Sequence, residues 1–234
     1  MLRILLSACC TLIVLSSLAQ TVIISKDPDE KREHVPEYGM NRKHYSHSFF
    51  GIQFMVGPPE HPGAEIVYGR SRTLEYGYRY KRRLSNTFSF GSEVTARRQA
   101  YHIQQSAKKA VPDTIMRDRE KIVLLDAGIG VYKRINYGSR GDYIGRFVDV
   151  GAYGGWLLHA RHVYFFEENK LSYRVRINGV KYPASLNYGL SARLGFNNFV
   201  IKGTYSLSDR FRESADLPEL PRYTVGLEIG LHPF

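Results

Sequence analysis

The chain has 234 residues, 43% of them hydrophobic, with a formal net charge of +11 and a sequence pI near 9.6. That length suits one sizeable domain. Its only cysteines, Cys9 and Cys10, fall in an apolar amino-terminal run, which excludes a disulfide framework from the rest, and no later stretch approaches the ~18 apolar residues of a transmembrane helix. The basic excess points to anionic surfaces such as phosphorylated lipid heads, or to basic loops that keep the ends of a membrane protein in water.

Residues 1–19 predict a cleaved secretory signal. Arg3 supplies the positive start, residues 4–18 the apolar centre and Ser17-Leu18-Ala19 the cleavage site before Gln20. The run is shorter than the roughly 20 residues a helical span needs. Leu6-Ser7-Ala8-Cys9 has the residues of a lipoprotein processing box but precedes most of the apolar core, so lipidation is not expected. Residues 20–45 are polar and densely charged without apolar periodicity, and predict a flexible periplasmic segment, with a partner-binding arm as the alternative.

From residue 46 to 234 the pattern is that of strands. Apolar residues recur at every second position in eight stretches, and helical spacing fits none of them. In chain order the shared faces begin with Ser48, Phe50, Ile52, Phe54 and Val56, then Leu74, Tyr76, Tyr78 and Tyr80, then Leu84, Phe88, Phe90, Val94 and Ala96. The fourth has Val123, Leu125, Ala127, Ile129 and Val131, and the fifth Val148, Val150, Ala152, Trp156 and Leu158. The sixth and seventh form the clearest unit: Leu186 to Phe196 alternates without a break, Asn197-Asn198 offers the positive φ of a tight hairpin, and Phe199, Ile201, Tyr205 and Leu207 resume the pattern. The eighth has Tyr223, Val225, Leu227, Ile229 and Leu231. Links alternate between short (around Arg82-Arg83, 136–141 and 197–198) and long (58–69, 98–120, 161–182 and 208–221). This is the rhythm of a closed eight-stranded antiparallel up-and-down transmembrane β-barrel in the bacterial outer membrane, with both termini periplasmic.

A barrel in water would show the same alternation with its apolar face inward. Glycine decides the direction. Gly51, Gly77, Gly91, Gly128, Gly130, Gly151, Gly155, Gly189, Gly195, Gly226 and Gly230 share the polar face, and only a crowded interior needs them there. The polar face is therefore expected inside and the apolar face against lipid. Glu75, Arg79, Glu93, Asp126, Asp149, Arg193, Lys202 and Glu228, with Arg97 and Arg134, then point inward, and must pair across the lumen to avoid the cost of buried lone charges. Tyr76, Tyr78, Tyr80, Trp156, Tyr188, Phe196, Phe199, Tyr205 and Tyr223 are candidates for aromatic girdles at the membrane interfaces.

Catalytic chemistry finds little support. His47 and Ser48 are adjacent, so they face opposite sides of a strand, and no Ser, His and carboxylate share the outward face as a lipid-acting site requires. His159-Ala160-Arg161-His162 reads as ordinary loop histidines, and Gly128-Ile129-Gly130 lies mid-strand with no helix after it. No cofactor or metal is expected. The long links carry Arg97, Arg98, Lys108, Lys109, Arg117, Arg119, Arg161, Arg174, Arg176, Lys181, Arg210 and Arg212, candidates for the phosphates of lipopolysaccharide. Basic loops without a recognition fold do not argue for nucleic acid.

The signal ending Leu18-Ala19-Gln20, the run Leu74-Glu75-Tyr76-Gly77-Tyr78-Arg79-Tyr80 and the terminal Phe234 together resemble the outer-membrane β-barrel family of Bacteroidota, which includes PorT-like proteins, and the overall shape is similar to OmpA- and OmpX-type barrels. The resemblance spans about residues 46–234. It implies the barrel fold, a terminal aromatic (Phe234) that the barrel-assembly machinery reads and, for the PorT-like branch, partnership with a secretion machinery. Phe234 departs from the pattern in register, since counting back by twos reaches His232 and Gly230. The expected role is non-enzymatic, structural or accessory. The alternatives are a secretion component, a small-solute channel and a lipid-modifying enzyme.

Overall fold

The structure, a computed structural model, describes residues 39–138, 143–168 and 170–232. The expected signal, most of the 20–45 segment and Phe234 lie outside the described residues. Nine strands form one antiparallel sheet among the described residues: β1 (His44–Val56), β2 (Arg72–Arg83), β3 (Phe88–Ile103), β4 (Arg119–Tyr137), β5 (Arg146–Glu168), β6 (Leu171–Asn178), β7 (Leu186–Phe196), β8 (Phe199–Ser206) and β9 (Tyr223–Leu231). Eight close a ring, β1-β2-β3-β4-β5-β7-β8-β9, with β9 paired back to β1. Neighbours in the ring follow one another in sequence, apart from the inserted β6, so the architecture is an all-β up-and-down barrel. The expected β7–β8 hairpin is present: Phe196 opposes Phe199 across a turn in which Asn197 takes φ +54°.

Three boundaries differ from expectation. β1 begins at His44, and the residues before it are fixed at the barrel's short-turn end: Lys81 Nζ donates to the Met40 carbonyl and Arg83 Nη1 to that of Asn41. The 98–120 link shrinks to 104–118, because β3 runs to Ile103 and β4 starts at Arg119. The 161–182 link contains a strand. β5 continues to Glu168, turns, and returns as β6, which pairs only with residues 161–168 of β5 and projects beyond the ring. Leu171-Ser172-Tyr173-Arg174-Val175-Arg176-Ile177-Asn178 alternates as strictly as any ring strand, so the signal for it lies in the sequence.

One irregularity re-aims the outer part of β5. Asp126 opposes Leu157 and Leu125 opposes His159, leaving Leu158 as the extra residue of a β-bulge. Because the side-chain period is two, one extra residue exchanges the faces of everything beyond it. Ala160 and His162 consequently face inward and are buried, whereas uninterrupted alternation from Trp156 would turn both outward.

The interior is stacked in three layers. At the long-link end, Met55, Tyr101, Ile103, Ile122, Leu124 and Ala160 from the strands meet Ala64, Ile66, Val111, Phe211 and Leu220 from the links in a buried apolar cluster. At the short-turn end Tyr45, Ile144, Phe147 and Val200 form a second one, with Met40 against it. Between them lies a layer of charge.

Candidate functional site

The middle layer is built by the polar face of the alternation. Glu75, Arg79, Glu93, Asp126, Asp149, Arg193, Lys202 and Glu228 are all buried, and most meet across the lumen. Arg79 binds Glu93 at 2.8 Å and Glu228 at 2.9 Å, and Arg193 binds the same Glu93 oxygen at 2.5 Å and Asp149 at 3.2 Å. Arg134 forms a two-pronged pair with Asp149 at 2.7 and 2.8 Å. Lys202 joins Glu75 at 2.7 Å and Glu228 at 3.0 Å, while Gln53 donates to Glu75 at 2.6 Å. Asp126 differs: it accepts from Gln99 at 2.5 Å and has no ion pair within the described residues. Each carboxylate shared between two cations repays desolvation that an isolated pair would not.

Glycine makes room for these cations in a repeated way. Phe49 lies across from Gly77, Tyr132 from Gly91, Phe147 from Gly195 and Tyr153 from Gly189. In each pair the aromatic ring covers the glycine: a Cβ on Gly77 would stand 2.6 Å from the Phe49 ring, and one on Gly189 2.8 Å from the Tyr153 hydroxyl. The inner face of each ring then carries a guanidinium, Arg79 over Phe49 at 4.1 Å, Arg193 over Tyr132 at 4.5 Å, Arg134 over Phe147 at 3.4 Å and Arg97 over Tyr153 at 4.6 Å. The glycines thus let rings lie flat against the wall, and the rings' negative faces hold the arginines.

Outside, the apolar set is turned to the surroundings. Phe50, Phe90, Val94, Ile129, Val131, Val150, Leu190 and Leu227 are large, hydrophobic and exposed, making an apolar belt around the ring. Trp156, Tyr188, Tyr205 and Tyr223 lie toward its long-link edge, and Phe196 and Phe199 at its short-turn edge. Tyr76, Tyr78 and Tyr80 depart from the girdle expectation. Alternate residues of one strand span about 14 Å along it, so they form a ladder and not a ring at one height. Their hydroxyls meet Ser48 (3.4 Å), Ser46 (2.6 Å) and His44 (2.6 Å) on β1, covering the polar groups of the outward face.

The basic residues of the long links divide into two groups. Lys109 and Arg210 are buried, contrary to their expected place in solvent-facing loops, and Arg97, expected both in the lumen and in a long link, lies buried in the lumen. Lys109 pairs with Glu120 at 2.6 Å and Asp113 at 3.2 Å, and Arg117 binds the same two acids at 2.5 and 2.8 Å. His162, turned in by the bulge, completes this knot through Glu120 at 2.6 Å. Burial pushes the Asp113 carboxyl up, but hydrogen bonds from Arg117 and Lys109 win and hold its pKa at about 2. Arg98, Arg119, Arg161, Arg174 and Arg176 instead stand on the outer wall beyond the belt, with Arg72, His102 and Lys121 in neighbouring outward positions. None of these eight has a carboxylate partner among the described residues. No sequence period marks Arg210 or Lys109 as inward, because both sit in links.

His47 is buried and Ser48 lies on the opposite face, while His159 opposes outward Leu125 as His162 points in. No group of three or more potential metal ligands occurs among the described residues. Gly128 and Gly130 lie within β4.

The site and ring together define a closed eight-stranded barrel with an ionic interior and an apolar exterior. No family model and no curated protein matches the sequence. Among solved structures the chain is similar to Ail, the attachment invasion locus protein of Yersinia pestis, in complex with the heparin analogue sucrose octasulfate, at 13% identity and a TM-score of 0.35 over 79% of this chain and 95% of that one. It is also similar to the N-terminal β-barrel domain of Pseudomonas aeruginosa OprF, at 14% identity and a TM-score of 0.30 over 80% of this chain and 97% of that one.

Proposed function

We propose that this chain is a non-enzymatic outer-membrane barrel, embedded in lipid and acting through its long-link end as a structural or interaction protein. The observation that carries it is the inversion of polarity: the ion pairs are inside and the greasy belt is outside. In water that arrangement exposes the belt and buries the charge; in a bilayer the belt is solvated and the paired charges are sealed from lipid. Both termini then lie in the periplasm, and the barrel-assembly machinery is the expected insertion partner. One space of about 20 Å³ within the charged layer has room for a water or two, which supports a plugged barrel over a solute channel. Planar-bilayer recording of the purified protein is expected to show no stable large conductance; a steady open channel would overturn the plugged reading.

The unpaired basic wall supports an interaction with lipopolysaccharide. Arg72, Arg98, Lys121, Arg161, Arg174 and Arg176 stand just beyond the belt, at the height where phosphorylated headgroups begin, and guanidinium groups hold phosphate well. Reversing Arg98 and Lys121 to Glu is expected to lower the lipopolysaccharide phosphate that co-purifies with the folded barrel. Unchanged phosphate content would sink this partner while leaving the barrel reading intact. The PorT-like role in secretion rests on the resemblance carried by Leu18-Ala19-Gln20, the run from Leu74 to Tyr80 and Phe234 together, and is tested by whether deletion stops cargo export.

A further inference from the structure

The charged layer does not balance among the described residues. Six of its buried side chains are basic (Arg79, Arg97, Arg134, Arg193, Lys202 and Arg210) and five are acidic (Glu75, Glu93, Asp126, Asp149 and Glu228). The surplus is localised. Arg79, Arg134, Arg193 and Lys202 are all held by carboxylates. Arg97 and Arg210 have no carboxylate of the described residues within salt-bridge distance of their side chains, and each is more than nine-tenths buried. Asp126 faces Arg97 in register, yet its Oδ2 is taken by Gln99.

Both arginines line the same cavity, the space of about 20 Å³ in the middle of the barrel. Among the residues that line it, Arg97 has Nε and Nη2 buried without a hydrogen-bond partner, and Thr73 its hydroxyl. Thr95, Ser191 and Tyr153 add hydroxyls to the wall. The cavity's own carboxylates are engaged elsewhere: Glu75 by Lys202 and Gln53, Glu93 by Arg79 and Arg193. A guanidinium cannot shed its charge by deprotonating, so its burial must be compensated by an opposite charge. Unused donors on residues that line one small space fit that requirement.

We propose that the barrel encloses a binding site for one small monovalent inorganic anion of the halide class, held by Arg97 and Thr73 with Arg210 reaching in from the link between β8 and β9. The anion neutralises the layer's surplus cation and satisfies the free donors. It enters as the ring closes, because the apolar clusters above and below leave no route for a hydrated ion afterwards. The site is a structural counterion site and does not depend on what the long-link end contacts.

The test uses the full chain folded in detergent micelles. Protein refolded from urea and crystallised with sodium bromide as the sole halide is expected to show an anomalous peak within hydrogen-bonding distance of the Arg97 guanidinium. A water at that place without anomalous signal, or a direct Arg97–Asp126 pair filling it, would overturn the proposal. In parallel, urea unfolding at matched ionic strength is expected to shift to a higher midpoint in chloride than in gluconate, an ion too large for the space. Arg97→Gln, which removes the surplus charge, is expected to abolish the chloride dependence while leaving a folded barrel. An equal midpoint in both salts for the unaltered protein counts against the site whatever the variant does.

Discussion

At the residue scale, Glu93 is a shared acid of the ionic interior, since one of its oxygens serves both Arg79 and Arg193. Glu93→Gln keeps the shape and removes the charge, leaving two buried guanidinium groups competing for what remains. The expected loss is about 3–5 kcal/mol of folding stability, measured by urea titration in micelles or vesicles. Ile129 probes the other face. It is 54% exposed, and on a water-facing surface Ile129→Arg would change stability by only about 0.5 kcal/mol. If that face meets hydrocarbon, the same change costs about 2–4 kcal/mol in a bilayer. A near-zero effect in vesicles would contradict the lipid-facing assignment of the belt. The opposite aims of these two residues are legible in the sequence, because a period of two sorts a strand's side chains onto two faces and the glycines mark the crowded one.

At the element scale, the bulge at Leu158 makes the outer half of the barrel different from the inner half. Deleting Leu158 removes the extra residue, so Leu157 and His159 follow each other in plain alternation while Ala160 and His162 keep their partners and still face inward. The ring and the Glu120–His162 contact are expected to survive, and limited proteolysis should find the 104–118 link as resistant as in the unaltered chain. Acid should loosen that link. The folded pKa of Asp113, about 2, lies below its ordinary 3.8, so its contribution is complete above about pH 4 and is lost as pH falls through about 2. Hydrogen exchange of residues 109–117 is expected to accelerate over that window, with the ring strands still protected. What the sequence conceals belongs to this scale. The ring strands are legible because an ionic interior and an apolar exterior impose opposite demands on their two faces. β6 projects beyond the ring and is exposed on both faces, and its clean alternation is easily absorbed into a link because the rhythm of long and short links already accounts for eight strands. The apolar clusters are hidden for a different reason. Met55, Tyr101, Ile122 and Leu124 are greasy residues on the face expected to be polar, and only the links folding over them explain why. The inward aim of Lys109 and Arg210 has no periodic signature at all.

At the scale of the whole molecule, the ionic layer ties together strands far apart in sequence. Glu228 on β9 bonds Arg79 on β2 and lies 3.0 Å from Lys202 on β8, so the final ring strand supplies an acid to cations on both sides of the seam. Glu228→Leu is expected to be more harmful than an apolar swap on the same strand's outer face, such as Val225→Ala. The measurement is the fraction of protein that keeps folded mobility in unheated gel electrophoresis. Without β9 the sheet is an open ribbon whose inner surface carries uncancelled positive charge, and hydrocarbon cannot accept such a surface. On the proposed membrane reading, partial insertion is therefore a dead end, and zipping β1 to β9 is the moment at which the molecule becomes compatible with its solvent. A chain stalled before Tyr223 would then need shelter from lipid until that last strand arrived.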